Sequence, residues 1–194
     1  MSKNIECETR VMLNEEQYNK MYRYVIDYLD NKKIINTNHY FDNNKLETLK
    51  KHIVIRKRNI NNVKFEVTTK CKREGGDIEI NEPLNYHEFI DLSISENIKN
   101  TEIEKILEKY KINSYDLKEI VSLKTYRLEA NFDDSLLVLD LNEYNNITDY
   151  NLEVEADSME KSKSTMEKLC DMFNITFQKH YLSKSRRAML SLML

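Results

Sequence analysis

Near its start the chain reads Ile5-Glu6-Cys7-Glu8-Thr9-Arg10-Val11. Side chains of an extended strand point alternately to its two faces, so Glu6, Glu8 and Arg10 share one face while Ile5, Cys7 and Val11 share the other. Carboxylates so placed are hard oxygen ligands for a divalent cation, and an arginine beside them suits a phosphate-like anion. The layout returns. Arg56 and Arg58 share a face; Lys64, Glu66, Thr68, Lys70 and Lys72 oppose Phe65, Val67 and Cys71; Arg127 and Glu129 oppose Tyr126, Leu128 and Ala130; Glu153 and Glu155 oppose Leu152, Val154 and Ala156. Any one of these strands fits an ordinary antiparallel sheet with a dry face and a wet face. The set suggests more, because about eight antiparallel strands can close around a small ligand. Charges held inside such a hollow must be paired or bound to an ion. Acids then call for metal cations and bases for an anion, which a polyphosphate with a divalent metal satisfies together.

The elements that must position these residues read as one α+β domain spanning 1–194. A strand is expected over 3–13, followed by a capping box at Asn14-Glu15-Glu16-Gln17 that opens a helix to about Leu29, with Met21, Tyr24, Val25 and Tyr28 on its apolar stripe. Extended segments follow near 35–42, 52–59, 63–72 and 77–81, with a hairpin turn at 73–77. Thr101 caps a helix carrying Ile103, Ile106, Leu107 and Tyr110, and a short helix is expected around 114–119. Strands near 120–132, 135–144 and 149–157 lead to a helix from Ser158 to Phe173. A short strand near 175–179 and a helix after Ser183 finish the chain.

With only two Gly and one Pro in 194 residues, the pairs Asn43-Asn44, Asn61-Asn62 and Asn145-Asn146 are expected to supply turns, since Asn tolerates left-handed backbone. Net charge is −3, from 30 bases and 33 acids, which argues against a general nucleic-acid binder. Mean hydropathy is −0.69, so much polar surface has to be accommodated. Cys7, Cys71 and Cys170 are far apart and form no metal or disulfide motif, which fits a reducing cytoplasm. No apolar leader or stretch of about 20 apolar residues appears, so no membrane partner is expected. The four histidines lack metal-ligand spacing; Lys57 and Lys72 read as solvated charges, residues 188–194 as a docked helix, and the tyrosine-rich helix from Tyr18 to Tyr28 as core.

Several segments occur in a telling order: Glu6-Cys7-Glu8-Thr9-Arg10, Tyr40-Phe41-Asp42, Ile55-Arg56-Lys57-Arg58, Thr68-Thr69-Lys70, Glu79 before Pro83, Lys124-Thr125-Tyr126-Arg127, Leu139-Asp140, Glu153-Val154-Glu155 and Ser183-Lys184. Together they resemble the CYTH domain, the triphosphate tunnel metalloenzyme family that includes adenylate cyclases and thiamine triphosphatases. The resemblance spans nearly the whole chain, with Arg10 where the E-x-E-x-K hallmark has lysine. It implies a closed antiparallel eight-stranded β-barrel with helices packed outside. It also implies a hydrolase that releases phosphate from inorganic triphosphate or a triphosphorylated small molecule with Mg2+ or Mn2+. Glu6, Glu8, Glu153 and Glu155 would be catalytic, and with Asp140 would hold metal. Arg10, Arg56, Arg58, Lys70, Arg127 and Lys184 would bind phosphate, with Glu79 and Tyr40 as further site candidates. The same parts could serve a class IV-like adenylate cyclase, or a module that binds nucleotide or polyphosphate without turnover.

Overall fold

The computed structural model describes residues 2–73, 76–91, 93–180 and 182–193; the side chains of residues 2–6, 72, 73, 76 and 77 lie outside that description. In chain order the elements are β1 (Ser2–Leu13), α1 (Glu15–Tyr28), β2 (Asn31–Asp42), α2 (Glu47–Lys50), β3 (Ile53–Ile60), β4 (Lys64–Arg73), β5 (Gly76–Leu84), α3 (Tyr86–Ile90), α4 (Ser95–Ile98), α5 (Glu102–Lys109), β6 (Lys118–Phe132), β7 (Ser135–Tyr144), β8 (Ile147–Ala156), α6 (Met159–Phe173) and α7 (Lys184–Leu190). They divide between two compact units. The first comprises residues 1–5, 36–124 and 183–194, and the second 6–35 and 125–182.

In the first unit the strand order is β1, β5, β4, β3, β2, β6, and in the second it is β2, β6, β7, β8, β1. Unit by unit the fold is antiparallel sheet with helices, the α+β architecture expected. Strands β1, β2 and β6 run for 12, 12 and 15 residues, well beyond the usual five or six or so, so each has residues in both units.

The hydrophobic cores form as strand parity demands. In the first unit, Ile94, Ile98, Ile103, Ile106 and Leu107 from the α4–α5 region pack on Ile53, Ile55, Val67, Ile78 and Ile80. In the second, Tyr18, Met21 and Val25 of α1 and Met166, Leu169 and Cys170 of α6 cover Val11, Leu128, Leu137, Leu139, Leu152 and Val154. Burying such side chains contributes about 1.5–3 kcal/mol each relative to exposure, which fixes which face of each strand is dry. Ser162 of α6 pins the second unit further, donating to Val154 O and sharing a hydrogen bond with the Thr9 hydroxyl, at 2.8 Å each.

Local signals mostly act where expected. Asn14 and Gln17 form a reciprocal capping box at 2.9 Å in both directions. Asn61, Asn62, Asn145 and Asn146 all take positive φ in hairpin turns, as do Asp133 and Asp134. At 43–46 the left-handed residue is instead Leu46, while the Asn43 side chain accepts from Lys45 N and Glu47 N. The turn expected at 73–77 has residues 74 and 75 outside the described residues.

Other expectations need correction. Residues 175–180 form no strand: Ile175 N donates to Cys170 O, closing α6, and His180 N donates to Arg10 O. The helix expected at 114–119 is a 3-10 turn over Ser114–Asp116, with β6 starting at Lys118. Helices α2, α3 and α4 were not foreseen, although α3 carries its own capping box from Asn85 and Glu88. On α1, Tyr18 is buried but Tyr28 is 75% exposed, so the tyrosine-rich helix is core on one side alone. Residues Ala188 and Met189 of α7 are buried, and among the described residues no helix is long and apolar enough to cross a membrane.

Candidate functional site

Each unit carries a charged cluster on the strand face opposite its apolar core. In the second unit, the β1·β8 ladder sets Glu8 opposite Glu155 and Arg10 opposite Glu153. Glu8, Glu153 and Glu155 each bring a carboxylate oxygen within 4.8 Å of the others. Two arginines knit this face together. Arg10 donates from Nε to Glu153 Oε1 at 2.5 Å, from Nη2 to Glu8 Oε1 at 2.7 Å and from Nη1 to Leu182 O at 3.3 Å. Arg127 forks onto Asp140 with bonds of 2.9 and 3.0 Å, reaches Glu153 Oε2 at 3.3 Å, and lies 3.6 Å from Glu129.

Burial makes these contacts matter. Glu153 is 2% exposed and Asp140 fully buried, so each carboxylate depends on its arginines to remain charged. Burial works against the Arg10 charge, but Glu153 and Glu8 outweigh it and hold the guanidinium above its ordinary range. Arg127 follows the same pattern, with Asp140 and then Glu153 overcoming desolvation. Neutral partners extend the face: Thr125 donates to Asn142 Oδ1, and Asn142 donates to Asn151 Oδ1, at 2.8 Å each.

The first unit inverts the composition. Arg56 and Arg58 come from β3, Glu66 and Lys70 from β4, and Glu79 from β5. The ladders set Arg56 opposite Tyr40 and Thr68, Arg58 opposite Glu66, and Lys70 opposite Glu79. Arg56 Nη2 lies 3.1 Å from Glu79 Oε2, while Arg58 Nη1 lies 3.5 Å from Glu66 and 3.9 Å from Glu79. Asn38 accepts from Arg58 Nε at 3.1 Å, and Thr68 donates to Asn81 at 2.7 Å.

Burial would raise the Glu79 carboxyl, yet Arg56 and Lys70 hold it below the usual carboxylate range. Burial also pushes the Tyr40 phenol up, against the pull of Arg56. Tyr40 Oη and Arg56 Nε are both buried without a hydrogen bond of good geometry, though the guanidinium is near enough to act on the phenol electrostatically. Lys184 opens α7 behind the Ser183 cap and is half-buried.

Of the five carboxylates expected to hold metal, the structure thus groups Glu8, Glu153 and Glu155, gives Asp140 to Arg127, and leaves the Glu6 side chain outside the described residues. Lys57 is a correction. It is 1% exposed rather than solvated, and its Nζ donates to the carbonyls of Glu88, Asp91 and Ser93 at 2.9, 2.6 and 2.8 Å. Glu66, Glu129, Asn38, Asn81, Asn142 and Asn151 received no role from the sequence, yet each shares strand parity with a residue that did. Parity already puts Glu66 and Glu129 on the charged faces, and it was the signal that could have found the four asparagines.

Carboxylate oxygens are the ligands Mg2+ and Mn2+ prefer, so the donor set of the second unit fits a hard divalent cation. Comparison with known proteins bears on the rest. Residues 4–187 match the CYTH domain family. YjbK of Bacillus subtilis (strain 168), named as a candidate triphosphatase, is 30% identical over 179 residues, covering 90% of each chain. The crystal structure of a candidate adenylate cyclase from Bacillus halodurans superposes with a TM-score of 0.85 at 26% identity, over 96% of this chain and 98% of that one. A candidate adenylyl cyclase from Hippeastrum, whose dominant activity is that of a triphosphatase, gives a TM-score of 0.78 at 17% identity over 96% and 95% of the chains; at that identity the likeness is one of fold.

Proposed function

The chain belongs to the CYTH domain family, and from that premise we propose that it is a cytoplasmic, divalent-metal-dependent triphosphatase acting on inorganic triphosphate or a triphosphorylated small molecule. The observation that carries this reading is the group formed by Glu8, Glu153 and Glu155, whose oxygens come within 4.8 Å of one another on a face also bearing Arg10 and Arg127. Glu8, Glu153 and Glu155, together with Glu6 as the sequence motif implies, would hold Mg2+ or Mn2+. When bound, such an ion neutralises phosphoryl oxygens and lowers the pKa of a coordinated water.

The chain's own residues account for the rest. Arg127, fixed by Asp140, presents a guanidinium whose position is set before substrate arrives, which is where preorganised electrostatic catalysis gains its advantage. In the first unit Arg56 and Arg58 offer planar forks and Lys70 and Lys184 offer point charges, the two forms in which proteins grip phosphate. Tyr40 adds a buried hydroxyl beside Arg56. In the hydrolysis, a water oxygen bonds to the terminal phosphorus, the bridging P–O bond breaks, and diphosphate leaves as the water gives up its proton. A carboxylate of the Glu153 and Glu155 pair orients that water.

A second reading is favoured by the likeness to the Bacillus halodurans protein: a cyclase that directs the ribose 3′ hydroxyl of ATP onto the α phosphorus, releasing diphosphate. Product identity separates the two. Purified protein is supplied with triphosphate, thiamine triphosphate, ATP or GTP and Mg2+ or Mn2+. We expect orthophosphate, lost in Glu153→Gln; cyclic AMP with diphosphate would replace the first reading by the second, and no turnover of any substrate would overturn both.

A further inference from the structure

The two arginines on Glu153 are not equivalent. Arg127 is anchored by Asp140, which stands outside the Glu8, Glu153 and Glu155 group, and its bond to Glu153 Oε2 is the longest of its three hydrogen bonds at 3.3 Å. Arg10 has both its carboxylate partners inside that group, Glu153 Oε1 and Glu8 Oε1. One guanidinium therefore bridges two of the three carboxylates that could take a divalent ion. A planar fork can do this, whereas the single ammonium of a lysine is a point charge without that geometry.

From this geometry we infer that Arg10 competes with a divalent cation for the oxygens of Glu8 and Glu153 and yields them when the cation binds. The inference rests on the metal assignment proposed above. Movement of the guanidinium need not disturb the strand: the Arg10 carbonyl accepts from His180 N at 2.8 Å, and Arg10 Nη1 keeps a neutral acceptor in Leu182 O. Once displaced, the fork is free to take a phosphoryl oxygen of a metal-bound triphosphate. Metal binding and anion binding are then linked, and by reciprocity each strengthens the other.

The test uses the whole chain and does not need turnover. Mn2+ affinity is measured by electron paramagnetic resonance for wild type, Arg10→Met, Arg10→Lys and Glu153→Gln. Arg10→Met should bind Mn2+ at least about fivefold more tightly than wild type, with Arg10→Lys between them. Removing any nearby positive charge would favour a cation, so a second measurement on wild type isolates displacement: the Arg10 Nε–H resonance, assigned by its loss in Arg10→Lys. Held by buried Glu153, that proton should exchange slowly with water, and saturating Mg2+ should shift it and speed its exchange while sparing Arg127. An unmoved Arg10 signal at Mg2+ saturation, or an Arg10→Met variant that binds Mn2+ no more tightly, overturns the inference. Where wild type binds Mn2+ and Glu153→Gln does not, that failure leaves the metal assignment standing. If neither wild type nor Arg10→Met binds, the assignment itself fails and the inference goes with it.

Discussion

The acidic cluster of the second unit and the basic cluster of the first are built alike and balanced oppositely. Both occupy the strand face turned away from an apolar core, and both rely on arginines pairing with buried carboxylates. In the second unit Arg10 and Arg127 serve Glu8, Glu129, Asp140, Glu153 and Glu155, so negative charge is in excess among the described side chains. In the first unit Arg56, Arg58 and Lys70 stand against Glu66 and Glu79, and positive charge is in excess. Internal pairing lets both faces remain ionised while buried. The residual sign then decides which ion each can recruit: a cation for one, an anion for the other.

The sharpest way to break this comparison is Glu153→Gln. It removes the carboxylate shared by Arg10, Arg127 and the candidate metal group, and should lower phosphate release by about a thousandfold; near-normal initial rates would mean the acidic excess is not used. Next in size, Arg56→Ala should raise the KM for triphosphate about tenfold or more, the scale of a lost hydrogen bond to a charged group, while leaving Mn2+ affinity where it was. Steady-state kinetics beside a Mn2+ titration would show whether the two clusters really divide the labour.

The smallest effect is one of pH. Arg56 and Lys70 hold the Glu79 carboxyl below its ordinary value despite burial. A carboxyl depressed in the folded state stabilises the fold above its unfolded value of about 4.3, and that contribution fades as pH falls through the folded-state value. Glu79→Gln should therefore flatten the acid side of the Tm profile below about pH 4.3, as read by calorimetry; an unchanged slope would mean that the Arg56 contact adds nothing to the fold.

Strand parity made the charged faces legible, since Glu153-Val154-Glu155 can place its acids on one side alone. Register was not legible. That Arg10 meets Glu153, 143 positions away, depends on how β1 and β8 slide along each other, which no local pattern encodes. Lys57 shows a second blind spot: parity set it apart from Arg56, but its partners are backbone carbonyls at 88, 91 and 93, and a carbonyl has no sequence signature. Ile175 and Phe177 show a third, alternating like a strand and packing on the core without joining a ladder. Parity reports which way a side chain faces and is silent on how far a long strand runs.

The left-handed asparagines have a consequence for the denatured chain. Glycine, the usual occupant of such turns, roams most widely when unfolded and so loses the most freedom on folding. Here Asn61, Asn62, Asn145 and Asn146 make mirror-image bends in a chain with only two glycines. The disordered ensemble is correspondingly narrower, and hairpin closure begins from fewer conformations.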